Sequence, residues 1–183
     1  MREVGHFSPG TINSLRWQAD GSRLVLAGSR SLASFMPSQG MTLLTERSAS
    51  FTSTATRADG HLLASGVVDG AVFVYDANLD QVVAGFKGGG QPALDPKGRY
   101  LVYQSADDEL VTYDLEANQP LAVLPNDQEI MGIVSYRDFQ VQPVFSPDGN
   151  YVAGVYHGIT IRVWNAKTGA IYNACLLYTS DAA

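Results

Sequence analysis

The chain has 183 residues and a formal net charge of −6; 45% of its residues are hydrophobic and 16% are charged. Since charged residues make up about 25% of an average globular domain, this composition excludes a disordered chain and indicates one packed domain. The 12 basic residues are dispersed, which argues against direct nucleic-acid binding. No apolar run approaches the roughly 18 residues of a membrane helix and the N-terminus lacks a secretory signal, so we expect a cytoplasmic protein without membrane contact.

A turn glycine recurs along the chain and marks an internal repeat. These glycines each close a short turn tripeptide, and they are Gly21, Gly60, Gly98 and Gly149. A second recurring position lies 15 residues after each glycine, is aromatic in the last three copies, and is occupied by Met36, Tyr75, Tyr113 and Trp164. Because the same offset returns four times, the sequence predicts four copies of one structural unit.

Each copy contains four short runs of aliphatic, β-branched and aromatic residues, separated by the Gly, Asp, Asn and Pro residues typical of turns. The run lengths are those of β-strands, and no segment has the 3.6-residue periodicity of a helix. The predicted repeats cover residues 11–44, 51–86, 92–124 and 139–174. A four-stranded antiparallel sheet that is apolar on both faces must stack on its copies, and radial stacking gives an all-β propeller.

Several segments resemble the repeats of WD-repeat proteins. They are Phe-Ser-Pro-Asp-Gly at 145–149, Ile-Arg-Val-Trp-Asn at 161–165 and Leu-Leu-Ala-Ser-Gly at 62–66, while Gly5-His6 takes the place of that family's Gly-His dipeptide in the first copy. The resemblance implies about four four-stranded antiparallel blades, arranged as an open arc of an incomplete propeller ring. In such an arc the two end blades expose apolar faces.

The resemblance also implies a pattern of buried polar residues that this chain follows only in part. In WD-repeat proteins a His, a Ser or Thr, an Asp and a Trp of one blade share a hydrogen-bond network. The second copy keeps Ser65, Asp69 and the aromatic Tyr75 at these positions but has no His, and the third copy departs in the same way. We therefore expect the blades to depend mainly on apolar packing.

The last nine residues, 175–183, differ in origin from the repeats in our interpretation. They read Cys-Leu-Leu-Tyr-Thr-Ser-Asp-Ala-Ala and resemble one translated frame of an adapter used to prepare sequencing libraries. We expect this tail to be non-native and the natural protein to be longer. Since Cys175 is the single cysteine, disulfide and thiol chemistry are not expected elsewhere in the chain.

Two features that could suggest ligand chemistry have simpler interpretations. The glycines at 88–90 lack the following Lys-Ser/Thr pair and helix of a phosphate-binding loop, so we expect a flexible connection between blades. The histidines His6, His61 and His157 lie in different copies, each without a second metal-ligating residue nearby, and His61 is expected to be exposed. The sequence predicts no metal and no cofactor.

The candidate binding surface begins with an acidic turn. Asp107 and Asp108 lie between the second and third strands of the third copy, and His157 lies in the corresponding turn of the fourth copy. These turns share one end of the predicted propeller. Two adjacent carboxylates either form an ordinary solvated turn or attract a basic peptide.

A long connection is expected at the same end of the propeller. Residues 125–138 join the third and fourth copies, and this loop carries the apolar residues Ile130, Met131 and Tyr136. Such side chains are unfavourable when they stay exposed. The loop therefore either folds over its own blades or helps to anchor a partner, since loops on rigid scaffolds often carry recognition.

The sequence favours a non-catalytic scaffold that binds protein or peptide partners through this end of the propeller, including the 125–138 loop. No nucleophile and base occur at a spacing that indicates catalysis. The alternative is a propeller enzyme or ligand sensor of the quinoprotein or lactonase kind, with a site in a central channel completed by further blades. Inward-facing His, Asp or Glu at equivalent positions of several blades would favour that alternative.

Overall fold

A computed structural model describes residues 10–18, 20–46, 49–125, 143–156 and 160–176. Within these ranges the fold is all-β, with antiparallel strands joined by turns. The strands of the first half are β1 (Ile12–Trp17), β2 (Leu24–Gly28), β3 (Ser31–Met36), β4 (Gly40–Glu46), β5 (Ser50–Thr56), β6 (Leu62–Val68), β7 (Ala71–Asp76) and β8 (Gln81–Leu94). Those of the second half are β9 (Tyr100–Ser105), β10 (Leu110–Asp114), β11 (Gln119–Leu124), β12 (Val144–Phe145), β13 (Tyr151–Tyr156), β14 (Thr160–Asn165) and β15 (Ile171–Leu176).

Strands that are neighbours in the chain are neighbours in the sheets, and this order defines four units. Strands β1 to β4 form a four-stranded sheet, which we call unit one, and β12 to β15 form unit four. The middle sheet has seven strands, β5 to β11. Unit two comprises β5 to β7 with the first half of β8, and unit three comprises the second half of β8 with β9 to β11.

Strand β8 belongs to both middle units, which corrects the expectation of four separate sheets. Its first half pairs with β7 as far as Lys87, and its second half pairs with β9 from Gly88 onward. The register of the second pairing shifts between Gly89 and Ala93. The glycines at 88–90 therefore do not form a separate connecting loop; they lie inside one strand, where glycine permits an irregular bend.

The turn at Asp69-Gly70 shows how the sequence sets the strand pairing. Both residues have positive φ, 48° and 75°, which is the combination required by a two-residue type I′ turn. Val68 and Ala71 pair directly across it. The Asp-Gly dipeptide thus fixes the register of β6 against β7, since glycine adopts this conformation freely and Asp tolerates it.

The apolar core lies between units. We call the face of a unit that packs on the following unit its forward face, and the opposite face its backward face. Units one and two share a cluster in which the forward residues are Val25, Ala27 and Leu32 and the backward residues are Ala49, Phe51, Leu62, Ala64, Phe73 and Tyr75. Equivalent clusters join units two and three and units three and four.

Large aromatic side chains occupy mainly the backward faces. Those in contact with a preceding unit are Phe51, Phe73, Tyr75, Tyr103, Tyr113, Phe145 and Trp164. The forward faces supply mostly Val, Leu and Ala, with Phe86 as an exception that stacks on Tyr103 at a centroid distance of 4.8 Å. Each interface therefore joins large rings to small aliphatic groups, which favours close packing.

Hydrogen bonds across each interface fix how neighbouring units sit on one another. The hydroxyl of Thr52 donates to the carbonyl of Pro92 in unit three, and the hydroxyl of Thr112 donates to the carbonyl of Ala166 in unit four, both at 2.7 Å. Thr52 and Thr112 are buried. Because buried hydroxyl groups need partners, these bonds penalise any sliding of one unit over the next.

The last strand runs beyond the predicted end of the repeats. Cys175 pairs with Ile161 and Leu176 pairs with Thr160. Strand β15 thus includes two residues of the segment that we excluded from the sequence-based fold. Its pairing continues past Ala174 because the partner strand β14 (Thr160–Asn165) is long enough to receive it.

Candidate functional site

The turns of the units lie at two ends of the sheets because antiparallel strands alternate in direction. The first-turn rim carries the turns that follow the first and third strands of a unit, at residues 20–23, 37–39, 57–61, 77–80, 95–99, 115–118, 146–150 and 166–170. The second-turn rim carries the turns that follow the second strands, at residues 29–30, 69–70 and 106–109. Asp107 and Asp108 belong to the second-turn rim.

Asp107 and Asp108 lie in a turn whose backbone is held by a side chain. The hydroxyl of Ser105 accepts hydrogen bonds from the N–H groups of Asp107 at 3.3 Å and Glu109 at 3.2 Å. Asp108 has a φ of 61°, a left-handed conformation in which Asp is enriched, and its carboxylate accepts a bond from the Gln104 amide at 3.3 Å. Asp107, Asp108 and Glu109 are all exposed, so the turn presents three carboxylates to solvent.

A cleft of about 440 Å³ opens beside this turn, between units two and three. Lys87 and Asp108 line it together with Gly70, Gly88 and Gly89. Glycines leave the backbone uncovered, so the cleft presents main-chain groups as well as one positive and one negative side chain. This combination suits an extended peptide that bonds through both its backbone and its charges.

The other predicted binding residues lie outside the described part of the chain; these are Ile130, Met131, Tyr136 and His157. Of the 125–138 loop, Pro125 is described, and its carbonyl accepts a hydrogen bond from the indole N–H of Trp164 at 3.0 Å. The structure therefore brings Asp107 and Asp108 to one surface. The contribution of the loop to that surface stays a prediction.

Two residues at positions where the sequence suggested a hydrogen-bond network form hydrogen bonds, one between units and one within a unit. The hydroxyl of Ser65 donates to the carbonyl of Pro92 in unit three at 3.1 Å. The hydroxyl of Tyr75 donates to the carboxylate of Asp80 in the adjacent turn. Asp69 occupies the turn described above. Ser65 therefore helps to hold two units together, and Tyr75 helps to hold the turn at the end of its own strand.

Two ion pairs at the first-turn rim were missed by the sequence analysis. In unit two, Nδ1 of His61 lies 2.6 Å from Oδ2 of Asp76. In unit three, Nη2 and Nε of Arg99 donate to Oδ2 of Asp114 at 3.0 and 3.2 Å. The His61 side chain is 32% exposed, less than the exposed position that the sequence predicted. Each basic residue follows the turn glycine directly, so comparing equivalent repeat positions could have found the pairs.

The acidic partners of these pairs also organise the turns that follow the third strands. Oδ1 of Asp76 accepts from the N–H groups of Asn78 and Leu79 at 2.9 and 3.2 Å. Asp114 and Asn165 accept from the backbone of their own turns in the same way. These are Asx-type turns. The side chain at this repeated position, Asp76, Asp114 or Asn165, therefore holds the turn that follows it in three units. In two of these units it also pairs with a basic side chain, His61 or Arg99.

Two carboxyl groups at the first-turn rim, those of Asp114 and Asp148, have a lowered pKa. Burial raises the pKa of Asp114, but hydrogen bonds from the Ala117 N–H and from Arg99 outweigh it, so that pKa lies below its ordinary value. At the first turn of unit four, the Ser146 hydroxyl is the main cause that lowers the pKa of Asp148 to about 2. Both groups are thus negative at neutral pH.

The His61–Asp76 pair predicts a pH-dependent stability. The hydrogen bond to Asp76 is the main cause that raises the pKa of His61 in the folded chain. The pair therefore stabilises the fold fully below the unfolded imidazole pKa of about 6.5, and this contribution is lost as the pH rises through the raised folded value.

We expect the stability difference between the wild type and His61→Gln to be largest in weak acid and to shrink toward alkaline pH. Urea unfolding at a series of pH values measures it, and His61→Gln leaves the other two histidines in place as an internal control. A difference that does not vary with pH would contradict this account of the pair.

A second cleft, also about 440 Å³, lies at the first-turn rim and is lined by units two, three and four. The cationic groups of Arg99 and Lys167 are 5.2 and 5.8 Å from the centroid of the Tyr100 ring, within the range of cation–π attraction. The buried carboxylate of Asp95 accepts bonds from the N–H groups of Arg99 and Tyr100, both at 2.6 Å. These polar groups hold the turn of unit three in place.

The first strands of the units line a groove of about 430 Å³. Strands β1, β5, β8 and β12 contact one another in that order. The polar lining consists of the Ser14, Ser53 and Thr54 hydroxyls and of Arg16, which donates to the Thr54 carbonyl at 3.1 Å. The described lining residues include no Asp, Glu, His, Lys, Cys or Tyr, and they therefore offer no general acid or base.

The described ranges contain no cluster of three His, Cys, Asp or Glu side chains that could hold a metal ion. In the same part of the chain, no helix has the length and apolarity needed to cross a membrane. No known protein-family model matches this sequence, and a search of curated proteins found no match. A function must therefore be inferred from the repeat and from the surfaces that the units form.

Proposed function

We propose that the chain is a non-catalytic scaffold of the WD-repeat propeller type, which binds a protein or peptide partner on its second-turn rim. Two features support the propeller arrangement. The first strands of successive units contact one another along a common groove, as inner strands do around a propeller axis. At each of the three interfaces, the forward face of one unit also packs on the backward face of the unit that follows it in the chain. None of the sheets closes on itself, which is consistent with an open arc of units.

The acidic turn at Asp107-Asp108, beside the cleft between units two and three, is the observation that carries the proposed binding role. The turn is fixed by Ser105 while both carboxylates remain exposed. A rigid turn loses little entropy when a partner binds, and its charges steer a basic peptide toward the adjacent cleft. The 125–138 loop would extend the same surface. The absence of acid–base groups among the described groove residues makes a channel enzyme the weaker alternative.

Neutralising the acidic turn tests this proposal. With a fluorescent peptide of alternating Lys and Gly as the probe, Asp107→Asn/Asp108→Asn is expected to weaken binding about 3- to 10-fold, since each exposed ion pair contributes about 0.2–1 kcal/mol. The salt dependence of binding should decrease as well. Asn keeps the left-handed conformation at position 108, so the fold is preserved. Fluorescence anisotropy at two salt concentrations gives both quantities.

The matched control removes two carboxylates from the opposite rim. Asp20→Asn/Glu116→Gln has the same net charge as the test variant and lies at the first-turn rim, so it should bind the peptide as the wild type does. Equal weakening in both variants would show that only net charge matters. Unchanged binding in the Asp107→Asn/Asp108→Asn variant would rule out the second-turn rim as the binding surface.

A further inference from the structure

Arg16 supplies the only charge among the described residues that line the groove between the first strands. Ser14 and Arg16 pair with Ala27 and Val25 on β2; since directly paired residues share a sheet face, both side chains lie on the forward face of unit one. Nη1 of Arg16 donates to the carbonyl of Thr54 in unit two at 3.1 Å. This bond occupies one of the five N–H groups of the guanidinium, and the others make no hydrogen bond to the described residues.

The positive charge of Arg16 is not balanced by a carboxylate in the described part of the chain. The ion pairs found there belong to Arg57, His61 and Arg99. Arg16 is half-buried, so its charge is partly withdrawn from water. In such surroundings an oppositely charged partner interacts more strongly than it does at an open surface. The groove therefore offers an electrostatic site for one anion.

Two serine hydroxyls in the same groove are available as further donors. The Ser53 oxygen accepts the N–H of Leu94 at 3.1 Å, while the Ser53 O–H has no acceptor among the described residues. Ser53 is 8% exposed, and buried hydroxyl groups usually find partners. The hydroxyl of Ser14 likewise makes no hydrogen bond to the described residues. Both groups can thus donate to an anion held by Arg16.

Most of the remaining lining is apolar and suits an organic body attached to the anionic group. Leu94, Val144 and Phe145 belong to this part of the groove. The groove volume of about 430 Å³ falls within the roughly 300–1,000 Å³ of small-molecule sites. A few polar groups among apolar walls are typical of such sites, in which the polar groups set the orientation of the ligand.

We propose that this groove is a non-catalytic binding site for a small organic monocarboxylate. The carboxylate pairs with Arg16 and accepts from the Ser14 and Ser53 hydroxyls, while the apolar part of the ligand packs on Val144 and Phe145. A planar guanidinium matches a carboxylate in a bidentate contact, and the single negative charge balances the single positive charge of the groove. A phosphate monoester would carry about two negative charges at neutral pH, of which one would stay unbalanced.

Titration of the full chain with phenylacetate tests the site, with phenylacetamide as the neutral analogue of nearly the same shape. Two-dimensional ¹H–¹⁵N NMR follows the Nε–H group of Arg16 and the backbone N–H groups of Ser53 and Leu94. Phenylacetate is expected to shift these signals in a saturable manner. Phenylacetamide should bind about 10-fold more weakly or less, because hydrogen bonds between charged groups are the stronger ones.

Arg16→Gln is the variant that removes the charge from the groove. Gln keeps an N–H donor for the Thr54 carbonyl, and we expect this variant to bind phenylacetate about 10-fold more weakly or less. Arg23→Gln is the matched control, since it changes the net charge equally and replaces another half-buried arginine of unit one, at the first-turn rim. It should bind phenylacetate as the wild type does. Asp107→Asn/Asp108→Asn should also leave this binding unchanged, because the groove is separate from the second-turn rim.

Four results would overturn the proposal. They are a wild type without saturable shifts at millimolar phenylacetate, phenylacetamide binding as tight as that of phenylacetate, equal weakening in Arg16→Gln and Arg23→Gln, and tighter binding of phenyl phosphate than of phenylacetate. Far-UV circular dichroism verifies that each variant is folded. If Arg16→Gln does not fold, the comparison of phenylacetate with phenylacetamide on the wild type decides.

Discussion

Trp164→Ala is expected to lower the free energy of unfolding by about 3 to 5 kcal/mol, as deletion of a large buried aromatic side chain usually does. Trp164 is 1% exposed and belongs to the cluster that joins units three and four, together with Val102 and Leu124. Its indole N–H also donates to the carbonyl of Pro125. The substitution therefore leaves a cavity between two units and removes this hydrogen bond. Urea unfolding followed by circular dichroism measures the loss.

The second tryptophan of the chain is the matched control. Trp17 is 51% exposed, and Trp17→Ala should change stability by less than about 1 kcal/mol. Comparable losses for the two substitutions would mean that Trp164 is not enclosed between units.

Gly88→Ala is expected to destabilise the chain by about 2 to 4 kcal/mol, from backbone strain and steric overlap together. Gly88 has a φ of 148°, a backbone angle that residues other than glycine rarely adopt. A Cβ atom at this position would also overlap with the backbone carbonyl oxygen of Gln104 on β9. The substitution acts where β8 leaves unit two and enters unit three.

Gly89→Ala is the neighbouring control, because a Cβ atom at that position meets nothing within 4 Å. We expect it to be close to neutral. Thermal unfolding of both variants followed by circular dichroism makes the comparison. Similar transitions for Gly88→Ala and Gly89→Ala would contradict the continuous strand through 88–90 and would favour the loop that the sequence predicted.

The sequence predicts the strands and turns well because their signals are local. Asp-Gly at 69–70 selects a tight turn, and the recurring glycines mark where a first strand ends and a second begins. The continuity of β8 (Gln81–Leu94) could not be predicted in the same way. Three consecutive glycines usually break a strand, and here the strand continues because Gly88 and Gly89 pair with Ser105 and Gln104 on β9.

Only part of the candidate site could be predicted from the sequence, for a similar reason. Asp107 and Asp108 stand out as adjacent carboxylates in a turn. The pairs His61–Asp76 and Arg99–Asp114 join residues 15 positions apart, and they become neighbours only after two strands have paired as a hairpin. Composition and short motifs carry no signal for such contacts. Aligning the copies on their turn glycines places both members of each pair at the same offsets, and this comparison is the route by which the pairs can be predicted.

The packing of one unit on the next is the claim from which the fold and the two rims both follow. It is tested most directly by nuclear Overhauser effects from the Nε1 proton of Trp164, whose nitrogen lies 3.0 Å from the carbonyl oxygen of Pro125. The structure predicts cross-peaks from this proton to protons of Leu124 and Pro125 in unit three. Cross-peaks confined to residues of unit four would contradict the stacking of the units.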